Sequence, residues 1–239
     1  MKEYLRKKMW RISIAGRFRQ TLAAEGIKLP FSIDNPPGLS YFARRNSICR
    51  TNGDEMKSRY MFPESADRSA LDEFVLGCDA MKEIMAVVRQ VARYDVNVLL
   101  MGESGTGKEM LAKIIHLQSP RAGHPFVPVN CGILSGIMFE DKLFGHEKGA
   151  FTGAVEQKIG CFEAAHRGTL FLDEVGELPI DNQIDFLRVL EDFQFMRIGG
   201  SDLIQVNVRV ISATNKDLKE EIRKGAFRED LFYRLQVIP

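Results

Sequence analysis

A single glycine-rich turn constrains the fold of this chain more than any other feature. The apolar run "VNVLLM" at 96–101 predicts a buried strand, and "KEMLAKIIHLQ" at 108–118 has the apolar spacing of a helix. Between them the sequence follows the pattern Gly-x4-Gly-Lys, from Gly102 to Lys108. Glycines let backbone N–H groups converge on phosphate oxygens, the helix start adds partial positive charge, and Lys108 can reach the β- and γ-phosphates. The pattern therefore predicts a nucleotide phosphate site.

The predicted phosphate-binding residues form one continuous segment. They are Gly102, Glu103, Ser104, Gly105, Thr106, Gly107, Lys108 and Glu109. Glu109 stands where such loops usually carry the Ser or Thr hydroxyl that helps to hold Mg²⁺, so Thr106 or water must be considered for part of that role. An incidental glycine-rich turn is the competing interpretation, and the succession of strand, loop and helix disfavours it.

A second apolar run, "GTLFLDE" at 168–174, ends in two adjacent acidic residues. In a parallel sheet this run would deliver Asp173 and Glu174 to the same edge as the phosphate loop. Asp173 is then the predicted metal ligand, orienting hydrated Mg²⁺, and Glu174 can polarise an attacking water. Paired acids after a strand are commonly solvated turn residues, so this assignment depends on the phosphate loop.

Strands and helices alternate along the second part of the chain. Further apolar runs at 125–130 and 206–214 predict strands, while residues 80–95 and 182–192 have helical spacing. The apolar stripe of the first of these helices consists of Met81, Ile84, Val87, Val88 and Val91. Alternation of strands with helices predicts an α/β fold in which a parallel sheet is flanked by helices.

Charge, hydropathy and cysteine usage exclude several classes of protein. The 239-residue chain carries 33 basic and 32 acidic side chains, and its basic excess is local to the N-terminus. It has no apolar run long enough to span a membrane and no secretory signal, so we expect a cytoplasmic protein without a membrane partner. Four cysteines without paired spacing suit reduced thiols. His146, His166 and Cys161 have no spacing that supports a zinc site.

Residues 1–74 differ in composition from the rest of the chain. They combine basic clusters, the turn-forming stretches "DNPPG" and "TNGDE", and aromatic residues without a clear period. We therefore expect an irregular, weakly ordered N-terminal extension, which the sequence assigns no function, followed by a core domain at 75–239. The basic face of the extension could contact nucleic acid or an acidic membrane surface, although a solvated charged tail is the simpler interpretation.

The segment "KLFGHEKGAFTGAVEQK" at 142–158 is rich in glycine yet holds a lone phenylalanine. Gly145, Gly149 and Gly153 can serve as hinges, and Phe151 offers contact area at little entropic cost. Composition alone favours a hairpin whose phenylalanine packs into the core. The residues by themselves therefore leave a presented and a buried phenylalanine open.

Five motifs, taken in order, resemble one family of proteins. "GESGTGKE", "LFGHEKGAFTGA", "GTLFLDE", "RVISATN" and "FREDLFYRL" are similar to the central AAA+ ATPase domain of bacterial enhancer-binding proteins, the activators of sigma-54 RNA polymerase. The resemblance covers roughly residues 75–239. It implies a P-loop AAA+ core, ATP and Mg²⁺ as ligands, a homo-hexameric ring, and remodelling of sigma-54 RNA polymerase that is driven by ATP hydrolysis.

The resemblance also implies roles for individual residues. The sigma-contacting loop would consist of Gly149, Ala150, Phe151, Thr152, Gly153 and Ala154. Asn130 would hold Glu174 away from water, and Thr214 with Asn215 would sense the γ-phosphate. A turn-capping role for Asn130 and a helix N-cap role for Asn215 are the plainer interpretations.

Arg228 and Arg234, in "FREDLFYRL", resemble arginine fingers that reach the nucleotide of a neighbouring subunit. Such fingers raise the hydrolysis rate by about 10³–10⁵ where they act. The plainer interpretation is an exposed helix on which arginines pair with acidic side chains, each pair being worth less than about 1 kcal/mol.

The sequence departs from the family pattern beyond Pro239, where a helical lid and a DNA-binding helix-turn-helix would follow. We therefore expect weakened ATP affinity, a poorly formed ring, and DNA contact only through a domain outside this chain. A nonhydrolysing module that binds nucleotide or sigma factor, and an AAA+ remodeller unrelated to transcription, are the competing functions.

Overall fold

The computed structural model describes residues 11–13, 79–132 and 136–236. Its strands are β1 (Arg11–Ser13), β2 (Val98–Met101), β3 (Phe126–Asn130), β4 (Gly145–His146), β5 (Lys158–Ile159), β6 (Thr169–Asp173), β7 (Gln194–Phe195), β8 (Ile204–Gln205) and β9 (Arg209–Thr214). Its helices are α1 (Asp79–Ala92), α2 (Lys108–Leu117), α3 (Ile137–Phe144), α4 (Cys161–Ala164), α5 (Ile180–Asp192), α6 (Leu218–Arg223) and α7 (Glu229–Leu235), and a 3₁₀ turn covers Val175–Glu177.

Five strands form the central sheet, in the order β1-β2-β9-β6-β3. The pairs β2–β9, β9–β6 and β6–β3 are parallel, and β1 pairs antiparallel with β2. Parallel pairing requires a crossover connection between strands, which the intervening helices supply. The α/β fold with a parallel sheet flanked by helices is therefore confirmed. Two short antiparallel pairs, β4–β5 and β7–β8, lie outside this sheet.

Both faces of the sheet are covered by helices. Successive residues of a strand point to opposite faces, so Leu100 and Ile211 belong to one hydrophobic cluster while Leu99 and Val210 belong to the other. The first cluster includes the apolar stripes of α1 and α2, and the second includes residues of α3, α4, α5 and α7. Burial on both faces explains why these strands are continuous apolar runs and not alternating ones.

The predicted helical stripe of α1 packs as expected. Four residues of the stripe are buried, namely Ile84, Val87, Val88 and Val91. The side chain of Met81 is not among those that the structure describes. The predicted strand at 96–101 begins later, at Val98. Asn97 explains this start, because its side-chain oxygen accepts a hydrogen bond from the Val210 N–H (3.3 Å) and so takes a place that the backbone would otherwise fill.

Of the predicted N-terminal extension, residues 1–74, the structure describes 11–13. These residues form β1, with Arg11 opposite Met101 and Ser13 opposite Leu99. This strand was not predicted, because three residues within a basic cluster show no periodicity. The expected weak order of the remaining extension lies outside the described residues.

Arg209 connects the start of β9 to the end of α1. Its buried guanidinium donates from Nη2, Nη1 and Nε to the backbone oxygens of Val91 (3.1 Å), Ala92 (3.2 Å) and Val96 (3.0 Å). The last carbonyls of a helix have no intrahelical donor, so this side chain supplies the missing hydrogen bonds. Burial lowers the pKa of the guanidinium to about 10, although the charge of Asp95 opposes the shift, and the group stays protonated at neutral pH.

We expect Arg209→Met to lower the free energy of unfolding by about 2–4 kcal/mol, because buried carbonyls lose their donors while side-chain volume is kept. Urea unfolding followed by circular dichroism measures the change. The matched control is Arg188→Met, since that side chain is 72% exposed and pairs with Asp185 on the surface. The control should change stability by about 0.5 kcal/mol or less. Equal losses in both variants would contradict the capping role.

Candidate functional site

The predicted site residues meet at one edge of the sheet. Met101 lies beside Thr214 in the β2–β9 pair, and Asn130 lies beside Asp173 in the β3–β6 pair. Each of these residues is the last of its strand. Because the strands are parallel, their carboxyl ends share an edge, and ligands of such sheets bind there. The structure thus brings together the phosphate loop, the paired acids and the polar strand ends.

The phosphate loop has the backbone conformation that only glycine adopts without strain. Gly105 and Gly107 have φ of +75° and +89°, and a Cβ built on either would meet nothing within 4 Å. The surrounding space is therefore open, and the glycines are required by conformation rather than by crowding. Gly107 immediately precedes α2, so the N-terminal N–H groups of the helix face the loop.

Lys108 folds back into the loop that it follows. Its Nζ donates to the backbone oxygens of Gly102 (2.8 Å) and Glu103 (2.8 Å), and the side chain is buried. Burial lowers the pKa of Lys108, and the charges of Asp173 and Glu174 oppose this shift. The site therefore holds a desolvated ammonium group beside two acidic residues.

Thr106, considered above as a partner for the metal, is buried in the same loop. Its hydroxyl donates to the backbone oxygen of Glu103 (2.7 Å). The hydroxyl oxygen keeps its lone pairs in this arrangement, so it can still accept a bond or contact a cation. Glu109 instead points along the helix surface and pairs with Lys113 (2.7 Å).

Asp173 and Glu174 differ in environment although they are adjacent. Asp173 Oδ1 accepts a hydrogen bond from the Glu174 N–H (3.0 Å). Burial raises the pKa of Asp173; that hydrogen bond and the charge of Lys108 lower it, whereas the charges of Glu174 and Glu109 add to the increase. Glu174 has φ of +55°, a left-handed conformation that is uncommon outside glycine. The strand therefore turns sharply at the residue predicted to polarise water.

Asn130 caps a turn in this structure, as its plainer interpretation proposed. Its Oδ1 accepts a hydrogen bond from the Gly132 N–H (2.8 Å). Gly132 also lies against Glu174, because a Cβ at this position would be 2.6 Å from Glu174 Oε2 and 3.4 Å from Asn130 Oδ1. The predicted role of Asn130 in holding Glu174 stays a prediction, and the structure adds Gly132 as a third member of this group. Sequence reasoning missed Gly132 because no motif distinguishes a glycine two residues past a strand end.

Thr214 is fully buried at the end of β9 and touches the phosphate loop through its backbone. Its carbonyl oxygen accepts from the Gly102 N–H (3.1 Å), and its Oγ1 accepts from the Lys216 N–H (3.1 Å). Gly176 packs on it so closely that a Cβ there would be 2.8 Å from Oγ1. The backbone of Thr214 is therefore bonded to the first residue of the loop.

Asn215 is exposed and does not cap the following helix. Helix α6 begins at Leu218, and the Asp217 carboxylate accepts hydrogen bonds from the N–H groups of Lys219 (3.0 Å) and Glu220 (3.3 Å). The N-cap interpretation of Asn215 was therefore wrong. Its side chain remains available at the edge where the nucleotide is expected.

The two predicted arginine fingers are both bonded within their own chain. Arg228 donates from Nε (3.0 Å) and Nη2 (2.7 Å) to the carboxylate of Asp230, as the exposed-helix interpretation expected. Arg234 donates from Nε (2.9 Å) and Nη2 (2.8 Å) to the backbone oxygen of Leu190, and from Nη2 to that of Glu191 (3.1 Å). Arg234 therefore caps the end of α5, whereas the side chain of Arg228 pairs with Asp230 at the surface.

The predicted sigma-contacting loop connects β4 to β5. Gly149 and Gly153 have φ of +84° and +104° with open space around them, which suits the predicted hinges. Gly145 is different, because a Cβ there would collide with the backbone of Lys158. It is a close-packing position in the hairpin, so the predicted hinge at Gly145 does not describe this conformation.

Phe151 and Thr152 have different environments at the end of this loop. Thr152 is exposed, whereas Phe151 is half-buried and its ring meets the ring of His146 edge-on, with centroids 4.9 Å apart. In this structure the phenylalanine ring is neither fully exposed nor fully buried, and its presentation to a partner stays a prediction. It is folded back on the hairpin and does not enter the core.

Two negative findings concern the described part of the chain. No group of three or more His, Cys, Asp or Glu side chains there is arranged to hold a metal ion. None of the helices described has the length and apolar content needed to cross a membrane. The absence of a protein cage is compatible with Mg²⁺, which is usually held by one or two carboxylates together with water and substrate phosphates.

Comparison with known proteins identifies the domain that the sequence motifs resemble. A family model described as the Sigma-54 interaction domain matches residues 74–239. The chain is 46% identical over 235 residues to the Nif-specific regulatory protein of Klebsiella oxytoca, covering 96% of this chain and 42% of that protein. It is 44% identical over 218 residues to the Nif-specific regulatory protein of Azotobacter vinelandii, covering 91% of this chain and 39% of that one. The chain thus spans less than half the length of either relative.

Solved structures of NtrX from Brucella abortus share the fold. One matches with a TM-score of 0.65 at 42% identity, over 72% of this chain and 38% of that chain. The complex of NtrX with ADP matches with a TM-score of 0.63 at 43% identity, over 67% and 35%. The complex with ATP gives the same TM-score and identity, over 68% and 36%. The family model, the identities and the architecture agree, and this chain belongs to the sigma-54 interaction domain family of AAA+ ATPases.

Proposed function

We propose that this domain binds ATP together with Mg²⁺, hydrolyses it, and uses the reaction to drive residues 149–154 against sigma-54 RNA polymerase, activating transcription. The observation that carries the proposal is the shared strand edge, where the phosphate loop and Lys108 lie next to Asp173 and Glu174. The ADP and ATP complexes of the related NtrX support nucleotide binding by this chain. Because RNA polymerase works on the chromosome, we place the activity in the cytoplasm.

The residues at this edge fit a magnesium nucleotide. The Asp173 carboxylate and the Thr106 hydroxyl supply hard oxygen ligands, and the raised pKa of Asp173 records a desolvation cost that a cation would offset. When bound, Mg²⁺ would neutralise charge on the phosphate oxygens. Lys108 would exchange its bonds to the loop carbonyls for bonds to phosphate, since an ammonium bonds more strongly to an anion than to a neutral carbonyl.

Hydrolysis requires a base near the terminal phosphate. Glu174 would accept a proton from water, and its carboxylate lies against Gly132, near Asn130. Thr214 and Asn215 would report the state of the γ-phosphate, because Thr214 is bonded to Gly102 at the start of the loop. These roles remain proposals that rest on the matching motifs and on this geometry.

We further infer that the hydrolysing unit contains more than one copy of the chain. Arg228 has a half-exposed guanidinium whose described partner is Asp230, so it can leave that surface pair at little cost. Arg234 would have to give up its bonds to the end of α5 first. Arg228 is therefore the better candidate to reach a neighbouring nucleotide, and a homo-oligomeric ring would place it there.

A second candidate function is a nonhydrolysing module that binds nucleotide or sigma factor. The observation in its favour is that both arginines are bonded within their own chain, so a single copy has no finger in its own site. Concentration dependence of hydrolysis distinguishes the two functions. Contact with enhancer DNA would belong to other parts of an activator, since the relatives are more than twice as long as the aligned part.

Lys108→Ala should weaken nucleotide binding at least about tenfold, because charge-assisted bonds to phosphate contribute about 1.5–3 kcal/mol. Titration with a fluorescent ATP analogue measures the dissociation constant. Lys113→Ala is the matched control, since Lys113 lies on the same helix and pairs with Glu109 at the surface. Unchanged affinity in Lys108→Ala would contradict the assignment of the phosphate site.

Arg228→Ala should reduce the maximal ATPase rate by about 10³ or more without a matching loss of nucleotide affinity. In the unsubstituted chain the specific activity should rise steeply with protein concentration, because each site is completed by a neighbour. The control is Arg223→Ala, an arginine that is 71% exposed and pairs with Glu220. A specific activity independent of concentration would count against fingers that act between subunits.

Thr152→Ala should abolish binding of sigma-54 in the presence of ADP and aluminium fluoride, a transition-state mimic, and leave nucleotide binding unchanged. Thr152 is exposed at the loop end, so the substitution removes contact chemistry without disturbing the core. Val155→Ala is the control, because Val155 is 73% exposed in the same hairpin but lies outside residues 149–154. Co-migration of the proteins on a sizing column gives the result. Retained binding in Thr152→Ala would argue for an AAA+ remodeller with another target.

A further inference from the structure

One carboxylate is hydrogen-bonded to both strands at the base of the hairpin that carries residues 149–154. Asp141, near the end of α3, is hydrogen-bonded to Nδ1 of His146 on β4 and to Nζ of Lys158 on β5. His146 and Lys158 are opposite each other in the β4–β5 pair. Asp141 therefore joins one helix to both strands of the hairpin.

The direction of these hydrogen bonds follows from the charge of Asp141. Burial raises the pKa of this carboxyl, but the hydrogen bonds from His146 and Lys158 outweigh burial and hold the pKa below its ordinary value. An ionised carboxylate can only accept, so His146 must carry its proton on Nδ1 and donate it. The pairing thus determines both the tautomer and the orientation of the imidazole ring.

The oriented imidazole ring is the surface on which Phe151 rests. The two rings meet at an interplanar angle of 67°, with centroids 4.9 Å apart, and His146 is almost fully buried. Two turn hydrogen bonds return the chain to this position: the Gly149 N–H donates to Ala154 O (2.8 Å), and the Ala154 N–H donates to Phe151 O (3.0 Å). The contacts that hold Phe151 in this position thus lie within the hairpin and at α3, and the hairpin is also bonded to Arg197 and Ile198.

We propose that Asp141 and His146 form a latch that holds Phe151 folded back on the hairpin, and that release of this latch is what exposes Phe151 to a partner. Both are positioning residues, because Asp141 acts through His146 and His146 acts on Phe151. The identity of the partner rests on the proposed function, whereas the latch concerns the chain alone.

The position of α3 in the chain relates the latch to the nucleotide site. This helix comes after Gly132, which lies against Glu174, and before β4. A shift of α3 along or about its axis would move the Asp141 carboxylate relative to His146 and Lys158. The central sheet need not change, because β4 and β5 lie outside it.

Hydrogen exchange of the full chain, measured by mass spectrometry on peptides within 145–157, tests the latch without sigma factor or nucleotide. Asp141→Asn keeps the size of the side chain but has one uncharged acceptor oxygen where the carboxylate uses two, so it should speed exchange of the Gly149 and Ala154 amides by about three- to tenfold. Phe151→Ala should speed it by a similar factor. The double variant should exchange no faster than the faster single one, because both substitutions break the same contact.

The matched control is Asp185→Asn, which removes an exposed carboxylate paired with Arg188 on α5 and should leave loop exchange unchanged. Exchange in peptides covering 209–214 checks that the sheet is intact. If Asp141→Asn speeds exchange there as well, Phe151→Leu replaces it, and this variant should still open the loop because it lacks the ring. Two results would overturn the latch. One is exchange at the wild-type rate in Phe151→Leu, or in Asp141→Asn when the sheet is intact. The other is a double variant in which the effects of the two substitutions multiply fully. Loss of sigma-54 binding in Thr152→Ala has no bearing on this measurement, so the two proposals fail separately.

Discussion

Parallel pairing of β2, β9, β6 and β3 is the constraint on which the site depends, because it brings the carboxyl ends of four strands to one edge. In that register Asn130 lies beside Asp173, and the backbone of Thr214 bonds to Gly102. Side chains of a strand alternate between faces, so a shift of one residue in any pair would turn these groups away from the phosphate loop. Strand side chains pack into two hydrophobic clusters, one on each face, and a shift would break the packing of both.

The ammonium group of the site has hydrogen-bond partners and acidic neighbours before any ligand arrives. Lys108 is buried against the carbonyl oxygens of Gly102 and Glu103, and its charge is offset by Asp173 and Glu174. A nucleotide must therefore replace existing contacts of the ammonium group, and its affinity reflects the difference between two sets of bonds. Such a loop is already folded around its lysine and needs little reordering when phosphate binds.

The sequence predicted those parts of the structure that follow from local pattern. The phosphate loop, the paired acids and the parallel sheet could all be derived, because glycine conformation, apolar runs and strand–helix alternation are properties of neighbouring residues. Arg234 could not be placed, since its bonds to the end of α5 join segments far apart in the chain. The contact of Phe151 with His146 was equally hidden, because it depends on how a turn folds back. The residue types indicated the chemistry of the site, whereas the contact partners of Arg234 and Phe151 could be identified only from the folded structure.

The space beside Gly132 has a consequence for how such a domain can vary. A carboxylate oxygen of Glu174 occupies the volume where any larger residue would place its first side-chain atom. That oxygen ends a flexible side chain, so a methyl group at 132 would move the acid and leave the strands and their ladder intact. The resting position of the Glu174 carboxylate can thus be changed by one carbon atom at a position that no motif marks.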